Sequence, residues 1–150
     1  SNIWWEVNTV ELESKHLQYL QVFTFKFYSI HFSPYIWLVL MHEAERRTIV
    51  LYGDMNFPDI KWMEDSEPMN VPDDLKNFTN KWCLIQCINF PTRLNPNNTL
   101  DLLYTNDDQL VESITPNYNV TDVNQRLSDH ALISIRMNVN NVKKKNWEPM

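Results

Sequence analysis

Two short polar side chains that suit phosphoryl chemistry follow the apolar run of residues 48–52. The run ends at Gly53, the only glycine of the chain, and Asp54, Met55 and Asn56 come directly after it. Because side chains alternate along a strand, we expect Asp54 and Asn56 on one face at its end, with Met55 in the core. A carboxylate can hold a metal ion or polarise a water, and an amide N–H can hydrogen-bond a phosphoryl oxygen. A plain turn is the alternative, since Gly-Asp-x-Asn is rich in turn formers.

Three further polar motifs follow in order downstream. They are Asn89-Phe90-Pro91-Thr92-Arg93, Leu100-Asp101-Leu102-Leu103-Tyr104-Thr105-Asn106 and Ser128-Asp129-His130. With the Gly-Asp-Met-Asn-Phe-Pro-Asp-Ile-Lys-Trp block that starts at Gly53, the set resembles the endonuclease/exonuclease/phosphatase superfamily. Within that superfamily it is most similar to the endonuclease domain of LINE-type non-LTR retrotransposons. The resemblance covers residues 48–139, which correspond to the C-terminal half of such a domain.

The resemblance implies that the first and last motifs handle the attacking water and a metal ion. Asp54 would orient or activate the water, and Asn56 would hydrogen-bond the scissile phosphate. Asp129 would help to hold the metal ion or the water, while Ser128 would cap the loop, position Asp129 and belong to the substrate-binding group. The implied cofactor is Mg²⁺, with Mn²⁺ as an alternative, and its implied ligands are Asp54 and Asp129.

Asp101 lies between two leucines, Leu100 and Leu102, on a predicted strand. A carboxylate is costly to bury without a partner, so this one should face either solvent or a hydrogen-bonding group. In the family that the chain resembles, the partner is the histidine of Ser-Asp-His, here His130. His130 would then stabilise charge on the phosphorane-like transition state or assist proton transfer. A structural turn is the competing interpretation of Asp129-His130.

The Pro-Thr-Arg motif supplies the remaining implied substrate contacts. Thr92 and Arg93 fit a rim that contacts the DNA backbone, with Arg93 forming a forked pair of hydrogen bonds to phosphate. An ordinary Pro-Thr turn followed by an exposed arginine is the equally weighted alternative.

Composition supports one globular domain but not a general nucleic-acid binder. The chain has 150 residues, 43% of them hydrophobic, and a formal charge of -6. Phosphate contacts normally come from a basic surface, and basic residues here are local: Arg46-Arg47, Arg93 and the lysines 143–145. A metal-dependent phosphodiesterase tolerates acidity better, because its carboxylates hold cations.

The cysteines and the single glycine each give a structural expectation. Cys83 and Cys87 imply no disulfide framework, and although their spacing would suit one helix face, no nearby Cys/His pair completes a zinc site, so free thiols are favoured. With one glycine, turns with positive φ should fall mostly to asparagine.

No targeting or membrane segment is expected. The chain starts at Ser1 without a basic n-region, which predicts no signal peptide. The aromatic-rich stretch of residues 17–41 is interrupted by Lys26, His31 and Pro34, so a half-buried strand is favoured over a membrane span. An intracellular protein, nuclear or cytoplasmic, is the resulting expectation.

Short strands separated by turns, with one or two helices, predict the α/β (α+β) class with a mixed or mostly antiparallel sheet. The stretch 58–71 is expected to be a loop anchored by Trp62. The expected strands are Ile3–Val7, Val22–Phe27, Thr48–Tyr52, Leu84–Phe90, Thr99–Thr105 and Ala131–Val139, and the expected helices are Tyr35–Glu45 and one that begins at Pro72-Asp73-Asp74 and runs to Trp82.

The resemblance implies a partial four-layer α/β sandwich, two packed sheets flanked by helices. We expect one partial domain over residues 1–150, with residues 1–47 truncated or divergent, residues 48–139 bearing the motifs and residues 140–150 forming a basic tail. The family's metal-binding glutamate and early asparagine belong to the half that is not recognisable here. Glu6, Glu11 and Glu13 are present in this part of the chain, and Tyr28 is the candidate for the tyrosine of the family's missing Tyr-Arg-Pro-Pro strand.

Three functional hypotheses follow. The first is a Mg²⁺-dependent phosphodiesterase that nicks DNA by water attack, and the second is a catalytically inactive, retrotransposon-derived remnant. The third is a phosphatase of the same superfamily, which the Pro-Thr-Arg and Leu-Asp-Leu contexts disfavour. The implied partner is DNA, with a reverse transcriptase fused in the parent element as a further expectation and no membrane; the sequence predicts no oligomeric state.

Overall fold

The structure is a computed structural model that describes residues 5–6, 20–26, 48–121 and 127–138, the first two ranges by their backbone alone. Several sequence expectations lie outside the described residues. These are the helix over Tyr35–Glu45, the possible site residues Glu11, Glu13 and Tyr28, the Arg46-Arg47 pair, and the basic tail with its three lysines.

The described residues form nine strands and one helix. In chain order they are β1 (Trp5–Glu6), β2 (Leu20–Lys26), β3 (Thr48–Asp54), α1 (Asp73–Lys81), β4 (Ile85–Gln86), β5 (Arg93–Leu94), β6 (Asn97–Asn98), β7 (Asp101–Thr105), β8 (Val111–Asn117) and β9 (Leu132–Met137).

The main sheet has five strands in the order β1-β2-β3-β7-β4. Strand β2 runs parallel to β3, and the other neighbouring pairs are antiparallel. Two small two-stranded sheets, β5-β6 and β8-β9, complete the described fold. This arrangement confirms the predicted α+β class, with sheets that are small and open.

Strand β3 is buried on both faces because a layer packs against each side of the sheet. On one side lies the helix-side core, made of Ile49, Leu51, Met55, Phe57, Ile60, Leu75, Phe78, Leu84, Leu102 and Tyr104. On the other lies the hairpin-side core, made of Val50, Ile88, Leu103 and Leu110, with side chains of β8 and β9 packed against it. A strand covered on both faces is expected to be a continuous apolar run, as residues 48–52 are.

The predicted helix after Pro72 is confirmed as α1. Pro72 occupies the N-cap position without a side-chain capping hydrogen bond, Asp73 and Asp74 stand in the first turn, and Lys81 is in the last turn. Acidic residues near the helix N-terminus and a basic one near its C-terminus both complement the helix dipole. Its buried residues Leu75 and Phe78 are three apart, so they share the face that packs on the sheet.

Other expectations require correction. The strand expected over Leu84–Phe90 is only the two residues of β4, and the hairpin of β5 and β6 was not foreseen. Cys83 and Cys87 do not share a helix face, because α1 ends at Lys81 and Cys83 has a φ of 51°. Both cysteines are free thiols, as favoured.

Asparagine takes over turn positions that glycine usually fills. Asn56 has a φ of 49° and Asn70 a φ of 61°, both in the left-handed region. Asparagine tolerates this region better than most residues that carry a Cβ. The expectation drawn from the single glycine is therefore confirmed at these two turns.

Candidate functional site

Two carboxylates meet where β3 ends and β7 begins. The strands are antiparallel, and Asp54 lies directly opposite Asp101 in the register. Because alternate residues share a face, both belong to the side of the sheet that carries Val50 and Leu103 and packs on the β8-β9 hairpin. Like charges placed directly opposite each other cost stability. An acidic pair at the ends of two neighbouring interior strands therefore favours a functional rather than a structural role.

His130 reaches this acidic pair from the segment that leads into β9. Its Nδ1 lies 2.8 Å from Oδ2 of Asp101, and the two side chains are 27% and 12% exposed. The contact expected from the resemblance is therefore present. Since Nδ1 is occupied by Asp101, any proton exchange between His130 and a ligand has to pass through Nε2.

Hydrogen bonds of the neighbouring loop fix the backbone of His130. Its N–H donates to Oγ of Ser128 at 3.2 Å, and the N–H of Ser128 donates to the carbonyl of Val120 at 2.8 Å. A single β-bridge also pairs His130 with Arg93. Ser128 was expected to position Asp129, but its hydroxyl instead holds the backbone of His130. The side chain of Asp129 is exposed.

The segment after β3 is a turn and not a continued strand. The backbone N–H of Asn56 donates to Oδ1 of Asp54 at 3.0 Å, which is an Asx-type turn. Met55 is buried in the helix-side core, as expected, and its N–H donates to the carbonyl of Leu100 at 2.9 Å. Asn56 is exposed, so its carboxamide is accessible, but the positive φ replaces the extended geometry predicted from strand periodicity. The segment therefore forms the turn that was the alternative to a continued strand, and it also leaves the carboxamide of Asn56 accessible.

Tyr52 is a site residue that the motifs did not reveal. It lies two positions before Asp54, so it faces the same side of the sheet. Burial raises the pKa of its phenol to about 12, with further contributions from the charges of Asp101 and Asp54. The phenol therefore stays protonated near both carboxylates and can act as an uncharged donor. Counting back two residues from Asp54 was the signal that could have found it.

Thr92 does not lie on an exposed rim. It is fully buried, and its hydroxyl accepts the backbone N–H groups of Leu100 and Asp101, each at 3.0 Å. A side chain without exposed surface cannot contact DNA directly. The structure therefore corrects the expected substrate contact to a structural position beneath the acidic pair.

Arg93, the next residue, is half-buried beside this position. Its Nη2 donates to Oδ1 of Asn98 at 3.0 Å, and its backbone pairs with Asn98 and with His130. Its Nε is buried and has no hydrogen-bond partner among the residues that the structure describes. Because that N–H has no exposed surface, it is a cost to the fold and does not by itself indicate a ligand; only the partly exposed remainder of the guanidinium can meet an anion.

The predicted metal ligands fit Mg²⁺ in chemistry but form an incomplete set. Asp54 and Asp129 offer carboxylate oxygens, the type of ligand that Mg²⁺ prefers. Within the described part of the chain, no three His, Cys, Asp or Glu side chains are grouped closely enough to hold a metal ion. Mg²⁺ is often held by one or two carboxylates together with water and substrate phosphates. Asp54, the last residue of β3, suits such a partial site.

The α+β fold and the four ordered motifs define an endonuclease/exonuclease/phosphatase-type domain. The family model described as endonuclease-reverse transcriptase matches residues 36–134, more than half of the chain. The chain therefore belongs to the endonuclease-reverse transcriptase family, and the predicted similarity to LINE-type endonucleases is confirmed. No curated protein and no solved structure matches the chain significantly. No helix in the described residues is long and apolar enough to cross a membrane.

Proposed function

We propose that this domain is a metal-dependent phosphodiesterase that nicks DNA by attack of water on a backbone phosphate. The observation that carries the proposal is the 2.8 Å hydrogen bond between His130 and Asp101, next to the carboxylate of Asp54. An oriented imidazole beside an acidic group is a general acid–base arrangement. Family membership favours a phosphodiester substrate over an inositol or lipid phosphate.

Each residue of the site has a distinct proposed task. Asp101 holds the imidazole of His130 by Nδ1, so that Nε2 can donate a proton or hydrogen bond to the phosphoryl group. Asp54 orients the attacking water and accepts its proton. The exposed carboxamide of Asn56 hydrogen-bonds a phosphate oxygen, and Arg93 supplies a positive charge.

Mg²⁺, or Mn²⁺ in its place, would be held by Asp54 with help from Asp129, and when bound it would polarise the phosphate and neutralise its charge. The nucleophile remains water, so the products are a free hydroxyl and a phosphate monoester at the nick. A DNA substrate would place the protein in the nucleus or cytoplasm, and the family's name favours a reverse transcriptase as part of the same parent protein.

The test is plasmid nicking by the purified chain in Mg²⁺. We expect conversion of supercoiled to open-circular DNA, and its loss in Asp54→Ala and in His130→Ala. Removal of one general acid–base group typically lowers a rate by about 10² to 10⁴-fold. Asp65→Ala, which removes an exposed carboxylate from the loop after β3, is the matched control and should nick normally.

A folded chain that nicks no faster than its variants would overturn the enzyme proposal. The inactive remnant of a retrotransposon endonuclease would then be the better description. Circular dichroism and cooperative urea unfolding of each preparation separate loss of chemistry from loss of fold.

A further inference from the structure

We propose that Thr92 is the positioning residue of the Asp101–His130 pair. Its catalytic meaning rests on the proposed nuclease function, but the geometry can be tested in a chain that does not nick. Thr92 has 0% exposure, so every polar atom that it carries needs a partner inside the protein. The structure supplies one for each.

Four hydrogen bonds join Thr92 to three separate segments. Its N–H donates to the carbonyl of Asn98 at 2.9 Å, and its carbonyl accepts the N–H of Ala131 at 2.8 Å. Its hydroxyl oxygen accepts the N–H groups of Leu100 and Asp101, each at 3.0 Å. The hairpin of β5 and β6, the start of β7 and the segment leading into β9 are thus tied to one residue.

These contacts determine where Asp101 and His130 stand relative to each other. The two residues are 29 positions apart in the chain. Thr92 holds the amide of Asp101 itself and the amide of Ala131, the residue directly after His130. Because a misplacement of about 1 Å in a catalytic group can cost about 10²-fold in rate, such a link affects chemistry without touching substrate.

The residue type suits the task. Threonine is branched at Cβ, so its rotamer is restricted and its hydroxyl is held in one direction. Valine has nearly the same shape but cannot accept a hydrogen bond. Thr92→Val would therefore leave the buried N–H groups of Leu100 and Asp101 without the acceptor that they have now, and Thr92→Ser would keep it.

The test follows the imidazole of His130 by ¹H–¹⁵N NMR in the full chain. In Thr92→Val, we expect the Nδ1 resonance to move towards that of an imidazole without a carboxylate partner, whereas Thr92→Ser should keep the original signal. In nicking assays the same valine variant should lower kcat about 10²-fold at unchanged KM, and serine should restore it.

Thr105→Val is the matched control for loss of a buried hydroxyl. Thr105 is 1% exposed at the opposite end of β7, and its hydroxyl accepts the N–H of Asp107 at 3.2 Å. It should lower stability without shifting the His130 signal. An unshifted signal in Thr92→Val, or an equal shift in Thr105→Val, would overturn the positioning role.

Amide hydrogen exchange in the unsubstituted chain keeps the proposal testable if Thr92→Val does not fold. The amides of Leu100, Asp101 and Ala131 should open together with similar protection, because one residue holds all three. Exchange of Ala131 about tenfold faster than the other two would contradict the link. A linked but inactive chain would overturn only the proposed nuclease function.

Discussion

At the scale of single residues, Asp101 shows how a buried charge is tolerated. Its neighbours Leu100 and Leu102 are fully buried, and a carboxylate in such a place is strongly unfavourable without partners. His130 provides one partner, while Asp54 opposite adds a like charge that opposes folding. Stability is thus given up locally where the chemistry is proposed to occur, as is common in functional sites.

Replacing Asp101 by asparagine tests whether its charge matters. We expect Asp101→Asn to lower nicking by about 10² to 10⁴-fold, because a carboxamide cannot stabilise a positive imidazole. The measurement is kcat/KM on supercoiled plasmid. Asp108→Asn, an exposed acid just beyond β7, is the control and should have no effect. Unchanged nicking by Asp101→Asn would remove the Asp–His pair from the mechanism.

The phenol of Tyr52 gives a second prediction at this scale. Its pKa is raised to about 12, first by burial and then by Asp101 and Asp54. A raised folded-state pKa means that the unfolded chain loses its proton first, so stability should fall as the pH rises from the ordinary value of 10.0 towards 12. Tyr52→Phe should weaken this fall, as measured by urea unfolding at several pH values.

Ultraviolet titration of the phenolate provides the control for that experiment. The transition lost in Tyr52→Phe identifies the phenol, and Asp54→Asn should lower the pKa of Tyr52 by removing a nearby negative charge. Titration of Tyr52 at its ordinary pKa would show that the phenol is not buried near the carboxylates.

At the scale of elements, α1 covers the face of the sheet opposite the site. Leu75 and Phe78 are 3% and 8% exposed in the helix-side core. Leu75→Ala should lower the free energy of unfolding by about 2 to 5 kcal/mol, because it removes buried methyl groups and leaves a cavity. Urea unfolding measures the change. Asn77→Ala, on the exposed face of α1, should stay within about 0.5 kcal/mol.

Comparing Leu75→Ala with Asn77→Ala also shows whether α1 contributes to nicking or only to stability. Because α1 lies across the sheet from the acidic pair, Leu75→Ala protein that remains folded should still nick. Loss of nicking at full folding would show that α1 contributes more than support. A stability change no larger than that of Asn77→Ala would contradict the packing of Leu75.

Elements with a strong local signal were predictable from the sequence. β3 is an apolar run, α1 begins with Pro-Asp-Asp, and β9 alternates apolar and polar residues. β5 and β6 have two residues each, too short for any periodicity, so their hairpin depends on contacts made by the folded chain.

The candidate site was predictable only in part, for a related reason. The pairing of Asp101 with His130 followed from ordered motifs, because the family resemblance carries tertiary information. The burial of Thr92 did not, since a threonine before an arginine has the same sequence whether its hydroxyl faces solvent or holds β7. Tyr52 was missed because its role depends on the strand opposite it.

At the scale of the whole molecule, acidity limits binding to DNA. With a formal charge of -6, the chain gains little from general attraction to phosphate. Binding then depends on individual cationic contacts, of which Arg93 is the proposed one. Arg93→Ala should weaken binding to a DNA duplex and reduce the slope of log K against log salt by about 1. Fluorescence anisotropy at several salt concentrations measures the slope.

The control for this change is Arg136→Ala. Arg136 is exposed on β9, so its loss alters the net charge equally while Arg93, whose backbone is bridged to His130, stays in place. An equal effect of both variants would show that only overall charge matters. The prediction of a specific phosphate contact by Arg93 would then be wrong.

Because the chain is acidic, a bound cation should stabilise the folded domain. A ligand that binds only the folded chain adds RT ln(1 + [L]/Kd), about 1.4 kcal/mol at a concentration ten times Kd. We expect Mg²⁺ to raise the free energy of unfolding by such an amount, and Asp54→Asn to abolish the gain. Asp65→Asn, at an exposed loop position, should keep it. An equal gain in both variants would mean that Mg²⁺ only screens surface charge, and Asp54 would lose its place as a ligand.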